Sequence, residues 1–435
     1  MAHHFSRLRR FHFNLPQRIA AGLLALFLAQ GLWLTGHQTL SSRDYQYARC
    51  GREMWERPAL LDGYFTSCGN IHDGVLAYRL VGLPLTLNLL AEQGLDHFRK
   101  PEDRVVQTGG LDSGPPASDF GPLGRKDSSS SVESKAGGEL SASNLSTWEL
   151  RHQLRYTLLL LRLPFLAAGL LLGGGLWWVT RRLYGNLGGY TALALYCFSP
   201  AILKACVAPT PEVLAALGVY GGIYTSIGVA HAMQGPRRKW RPRIVLLTVI
   251  FGVAAAAHMA ALAVVALVGL ALMLWVAEGR RSQALLVVLA ATTGALAIVF
   301  ACYGFSPRAF SCFFRSPAGF LWLSLDPARR FFSTLTNAAV TVAAAAALAL
   351  YLSLRRSRYF GNTAPLLCAL LLMLLVMTGA PGAPWLWALP FLLTFVAGVF
   401  ADACEGPRGR LAVCAVGAVV LLQAAFCVLS LPGLL

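Results

Sequence analysis

The sequence predicts an all-α, polytopic integral membrane protein, and three observations carry that prediction. Of 435 residues, 56% are hydrophobic and only 13% are charged, which is too apolar for a soluble domain of this size. Stretches of membrane-crossing length recur along the chain, because a hydrocarbon core of about 30 Å needs roughly 20 helical residues. Arginine and lysine collect at alternate gaps between those stretches: SRLRR near the start, Arg181 with Arg182, PRRKWRPR from Pro236 to Arg243, Arg280 with Arg281, RRSR at 355–358 and PRGR at 407–410. The short gaps between them, VAPTPE around Glu212, the turn at His258 and GAPGAP at 379–384, carry no lysine or arginine. Basic loops stay cytoplasmic, so the alternation predicts a cytoplasmic N-terminus and a first large loop on the outer side. The net charge of +17 is explained by these flanking clusters, and nucleic acid is not expected as a partner.

Taken in order, the apolar stretches predict about eleven transmembrane helices, near 17–36, 155–178, 188–206, 210–233, 243–258, 260–277, 284–304, 334–354, 363–380, 385–402 and 410–432. The run from Ile244 to Glu278 is too long for one ordinary span, so it reads as two short helices turning near His258. Residues 1–36 form an N-terminal cytoplasmic segment and a first span, which has a basic flank but no convincing small-residue cleavage site and reads as a retained anchor. Residues 37–106 form the first outer loop, whose apolar positions suit helices lying along the membrane surface. The Ser/Gly-rich insert at 107–150, with KDSSSSVESKAGGELSAS, offers too little apolar area to order itself. The transmembrane helix bundle fills 151–435. Ten cysteines are scattered without a CxxC pair. Cys50 with Cys68, and Cys302 with Cys312, fall on the predicted outer side, where an oxidising compartment permits pairing.

Polar residues accumulate on that same side. Asp44 follows the first span, His72 and Asp73 lie in NIHDG, and Glu212 stands where the third and fourth spans meet. His258 marks the turn between the fifth and sixth spans, and Arg308, Arg315, Arg329 and Arg330 lie in the one outer gap that is rich in arginine. Arg79 interrupts an apolar helix in the first loop. Acids, an imidazole and guanidinium groups on one face suit chemistry on an anionic, lipid-carried substrate. Each also has a plainer reading. SSRD is good helix N-terminal chemistry, Glu212 opens a helix where the dipole favours an acid, and Arg329 and Arg330 can snorkel to headgroups. No motif demands a cofactor; a divalent metal at His72 and Asp73 with one of the acids stays open, without a fixed third ligand.

Several motifs resemble one family. SSRDYQYARCGREMW and HDGVLAYRLVGLPL follow the first span, and LLLRLPFLAAGLLLGGGLWWVTRRLYGNLGGYTALALYCFSPAILKACVAPTPEVLAAL continues into the fourth. YFGNTAPLLCALL and PWLWALPFLLTFVAGVFADA come near the end. Together they are similar to the C-type (GT-C) membrane glycosyltransferases, in the bacterial branch of protein mannosyltransferases and lipid A aminoarabinose transferases. The resemblance implies inverting transfer of a sugar from a polyprenyl-phosphate donor to an acceptor glycan, lipid or protein at the outer face. By position it implies Asp44 as general base and Glu212 as the second acid, with the late arginines on the phosphate and His258 assisting it. Two departures stand out: Asp44 is followed by Tyr45 where relatives often carry a second acid, and NIHDGVLAYR replaces a frequent His-Pro-Pro stretch. A lipid-linked glycan transporter and a non-catalytic relative acting as an assembly partner are the alternatives. Transport would place charges near the bilayer midplane in repeated spans.

Overall fold

The computed structural model describes residues 14–39, 41–56, 71, 74–98, 147–235, 240–315, 321–334, 337–353, 359–377, 382–406 and 409–434. His72, Asp73, Cys68 and most of the insert, residues 107–146, lie outside the described residues. The chain divides into two compact units, residues 1–86 with 156–435, and residues 87–155. The second is described only where two helices enter it, and everything below concerns the first.

The first helix, α1 (Leu15–His37), starts at Asn14, whose N–H donates to Gln17 Oε1 at 3.0 Å. Two helices of the first loop follow, α2 (Ser42–Glu56) and α3 (Val75–Phe98). They cross where Gly51 meets Gly82, so closely that a Cβ on Gly82 would collide with the backbone of Gly51. Cys50, beside that crossing, is disulfide-bonded; Cys68, the partner that the predicted sidedness permits, is outside the described residues.

Helix α4 (Thr147–Cys197) has 51 residues, roughly 76 Å if straight, far more than a bilayer needs. It is not straight. Tyr196 Oη donates to Gly169 O at 2.7 Å across 27 positions, which a continuous helix would hold about 40 Å apart. The chain folds back at Gly185, where φ is 78° and ψ is −172°, a conformation that glycine adopts without a Cβ penalty. The two limbs, the second continued past Pro200 by α5 (Pro200–Val207), occupy the stretches predicted as spans 155–178 and 188–206. Near the fold-back, Arg181 and Arg182 lie over the rings of Trp177 and Trp178 at 5.2 and 5.6 Å, an arrangement suited to a membrane interface.

The bundle continues with α6 (Glu212–Met233), α7 (Arg241–Ala257), α8 (Met259–Val276) and α9 (Arg281–Cys302). His258 alone breaks α7 from α8, with extended φ/ψ, as the sequence predicts. Then come α10 (Pro307–Phe313), β1 (Leu321–Leu323), α11 (Asp326–Ser333), α12 (Ala338–Ser353), α13 (Tyr359–Leu374), β2 (Leu375–Met377), α14 (Ala383–Cys404) and α15 (Gly409–Ser430). Helix α6 packs on α7 and α8, α7 on α9, and α14 on α13 and α6. α14 is buried nearly throughout its length, as expected of a helix that is apolar on all sides.

This is an all-α, multi-pass membrane protein. Among the described residues seven helices are long and apolar enough to cross, and an eighth if α11 and α12 form one bent span. The difference from about eleven lies in four places. The limbs of α4 count as one helix, α7 has 17 residues, α12 has 16, and α13 has 16 before it unwinds into β2. Among the described residues of the basic gaps, Arg243 donates to Gly228 O at 2.7 Å, Arg280 to Met233 O, and Arg181 to Asn186 Oδ1 at 2.9 Å. The Cys302–Cys312 pairing that the predicted sidedness permits does not form. Both are thiols, Cys302 closing α9 and Cys312 turned onto Arg308 O within α10.

Candidate functional site

The end of the bundle where α6 begins carries a cavity of about 650 Å³, within the size range of small-molecule sites. Arg43 enters it from α2, Lys204 from α5, Thr210 and Glu212 from the start of α6, and Trp385 and Leu389 from α14. Further lining comes from Trp322 of β1, from Ser324 between β1 and α11, and from Asp326, Arg330 and Phe331 of α11, with Val376 from β2. Three cationic groups therefore face two carboxylates. The wall includes non-helical backbone where α13 gives way to β2, which pairs antiparallel with β1. Such backbone is tolerated in a membrane protein where it lines a cavity.

Glu212 is the first residue of α6 and follows Pro211. Its Oε2 is buried and has no hydrogen-bond partner among the described residues, an arrangement that normally requires a ligand or water to complete it. Tyr47 lies nearby, stacked on Tyr78 with ring centroids 4.2 Å apart. Burial pushes the Tyr47 phenol well above its usual range, the neighbouring Tyr78 and Glu212 add to this, and Arg43 opposes it. Arg43, Tyr47 and Glu212 therefore form one electrostatic neighbourhood at the mouths of α2 and α6.

Asp44 is close to this neighbourhood but differently occupied. It is 2% exposed and is not among the residues lining the cavity. Its Oδ2 accepts from the N–H of Ser41 at 2.9 Å, while its own N–H donates to Ser41 Oγ at 3.2 Å, a reciprocal capping box at the start of α2. The same oxygen takes an ion pair from Arg162 Nη2 at 2.7 Å. Arg162, 3% exposed, also donates to Gln38 Oε1 at 3.1 Å. The pair ties the turn between α1 and α2 to α4.

The other predicted residues are distributed as follows. Of the four late arginines, Arg330 lines the cavity, whereas Arg308, Arg315 and Arg329 are exposed without lining it. Arg79 is part of the scaffold: it donates to Cys302 O at 2.8 Å and Met54 O at 3.0 Å, with its guanidinium 5.0 Å from the Trp55 ring centre. His258 is 3% exposed, its ring 5.9 Å from that of Trp387, and it does not line the cavity. His72 and Asp73 are outside the described residues. Among the described residues no group of three or more His, Cys, Asp or Glu side chains is placed to hold a metal ion.

Arg43, Lys204 and Arg162 are the site residues the sequence reading did not single out as such. Lys204 had a signal, being a lone cation inside a predicted span. Arg43 had only its adjacency to Asp44. Compared with protein-family models, curated proteins and solved structures, the chain gives no match.

Proposed function

We propose that this protein transfers a sugar from a polyprenyl-phosphate donor to an acceptor hydroxyl at the outer face of a bacterial inner membrane, with Glu212 as general base. The observation that carries this reading is the buried Glu212 oxygen without a hydrogen-bond partner in a cavity that also holds Arg43, Lys204 and Arg330. In an inverting displacement the acceptor oxygen attacks the anomeric carbon and its proton passes to the Glu212 carboxylate. The bond from that carbon to the phosphate oxygen breaks, and the lipid phosphate leaves with the electron pair. The three cations suit the charge that develops on it. Arginine adds a planar fork that matches phosphate oxygens, and lysine a compact point charge.

The motif resemblance points to Asp44 for the base, but the capping box and Arg162 already engage that carboxylate. In this reading Asp44 is a positioning residue that sets Arg43 at the cavity through the start of α2. Transfer fits better than transport because the charges come from segment ends at one end of the bundle. The engagement of Asp44 also favours a second reading, in which the chain binds the lipid phosphate without transferring its sugar. Purified protein given radiolabelled polyprenyl-phosphate sugars and a membrane acceptor fraction decides between them. Release of polyprenyl phosphate by wild type and by Asp44→Asn, but not by Glu212→Gln, is the expected result. Equal release by Glu212→Gln overturns the assignment of the base, and donor binding without release by wild type supports the second reading.

A further inference from the structure

The β1–β2 ribbon is an unusual element for a helical membrane bundle, and its register determines what it presents to the cavity. Trp322 pairs directly with Val376. Side chains of directly opposed residues lie on the same face of an antiparallel pair, and both of these line the cavity. A slip of one residue would put the leucines on either side of Trp322 there instead. The register is held beyond the ribbon by Ser324 N–H donating to Leu374 O at 2.8 Å, and Ser324 Oγ accepts from Asp326 N–H at 3.2 Å. Ser324 and Asp326 line the cavity beside Trp322.

Trp385, 6% exposed, also lines the cavity. Its ring is stacked on Phe331 at 4.1 Å, and its Nε1 has no hydrogen-bond partner among the described residues. The Trp385 face against Phe331 is therefore occupied, whereas Trp322, 46% exposed, is not so enclosed. An open indole beside a hydroxyl and a carboxylate, with a buried indole N–H on the same cavity, suits one ligand chemistry above others. A pyranose ring has an apolar C–H face for the indole and a rim of hydroxyls for the polar groups. A prenyl chain would use the indole and leave Ser324, Asp326 and Trp385 Nε1 unserved.

We infer that the ribbon is the sugar-recognition element, with the pyranose of the lipid-linked donor docking on Trp322 and its hydroxyls served by Ser324 and Asp326. This rests on the reading that the donor is a polyprenyl-phosphate sugar. The test measures binding of bare polyprenyl phosphate and of a panel of polyprenyl-phosphate hexoses and pentoses to the full-length protein in nanodiscs. Wild type is expected to prefer at least one sugar-bearing lipid over the bare lipid by about tenfold. Trp322→Ala is expected to bring that ratio to about one while leaving the affinity for the bare lipid unchanged, and Trp322→Phe to fall between. A wild-type ratio of one overturns the inference while leaving the phosphate site standing. Equal weakening of both lipids by Trp322→Ala overturns it too, by assigning the indole to the prenyl chain. Failure of wild type to bind either lipid removes the functional reading itself, and this inference with it.

Discussion

Asp44 and Glu212 are both acids in the first turn of a helix, α2 and α6, at the same end of the bundle. The positive end of a helix dipole favours an acid in either place. Only one of them, Glu212, has a buried carboxylate oxygen without a hydrogen-bond partner among the described residues. Asp44 lies three residues after Ser41, the spacing of a capping box, and an arginine from another helix completes its shell. The residue three positions before Glu212 is Pro209, which has no N–H to offer a reciprocal cap, and the Glu212 Oε2 remains buried beside a cavity. A carboxylate consumed by local structure is a poor proton acceptor, and one left unserved in a cationic cavity is a good candidate for chemistry.

The sharpest way to break this comparison is to neutralise each acid in turn. Glu212→Gln is expected to lower sugar transfer by about 10²- to 10⁴-fold, the range of a general base, with the melting temperature of the purified protein nearly unchanged. Asp44→Asn is expected to do the reverse, lowering the melting temperature while each folded molecule retains most of its turnover. A Glu212→Gln protein that melts early and keeps its activity would reverse the roles assigned here.

Next in size is the partner of Asp44. Arg162→Ala leaves a buried carboxylate without its counter-ion, and removing one member of such a pair costs about 3–5 kcal/mol. Denaturant unfolding in detergent is expected to show that loss. The double variant Asp44→Asn with Arg162→Ala is expected to recover part of it, because the uncompensated charge is gone. Strict additivity of the two single changes would mean that the ion pair does not couple them.

The same two acids show how far the sequence could be read. The break at His258 and the limbs on either side of Gly185 follow from local signals: apolar length, a polar interruption and a basic gap between two apolar runs. The capping role of Asp44 was legible too, since SSRD has the right spacing. Its ion pair was not, because Arg162 is 118 positions away and only the packing of α4 on the turn between α1 and α2 brings the two together. Arg79 read equally well as a ligand or a scaffold residue until its partners at Met54 and Cys302 were in view. The β1–β2 ribbon was hidden because residues 363–380 have the composition of a span, and pairing between segments about 50 residues apart leaves no local pattern.

A smaller effect is expected from the cations that share the cavity with Glu212. Lys204→Ala and Arg43→Ala are each expected to raise the donor KM by about tenfold, the scale of one charge-assisted hydrogen bond, with a smaller change in kcat than Glu212→Gln. Arg43→Lys is expected to recover less than Lys204→Arg, because a guanidinium at position 43 would be matched to phosphate geometry. Arg308→Ala and Arg329→Ala, whose residues do not line the cavity, serve as controls that leave KM unchanged.

The smallest effect concerns Tyr47, the phenol in the same neighbourhood as Glu212 and Arg43. Burial raises its pKa above the usual 10.0 in the folded protein, with Tyr78 and Glu212 adding to the shift, so the folded state holds the phenolic proton more tightly than the unfolded chain. A raised folded-state pKa stabilises fully below the unfolded value and is lost as pH climbs from about 10 toward the folded value. The melting temperature of wild type should therefore decline through that alkaline range, and Tyr47→Phe, which has no proton to lose, should decline less steeply. Because Glu212 contributes to the shift, Glu212→Gln should also flatten the wild-type decline, by less than Tyr47→Phe does. Asp44→Asn should leave its slope alone, since Asp44 is not among the causes of the Tyr47 shift. An Asp44→Asn slope that changes as much as that of Glu212→Gln would show that the two carboxylates share one electrostatic environment, and the distinction between a committed acid and an available one would fail at its physical root.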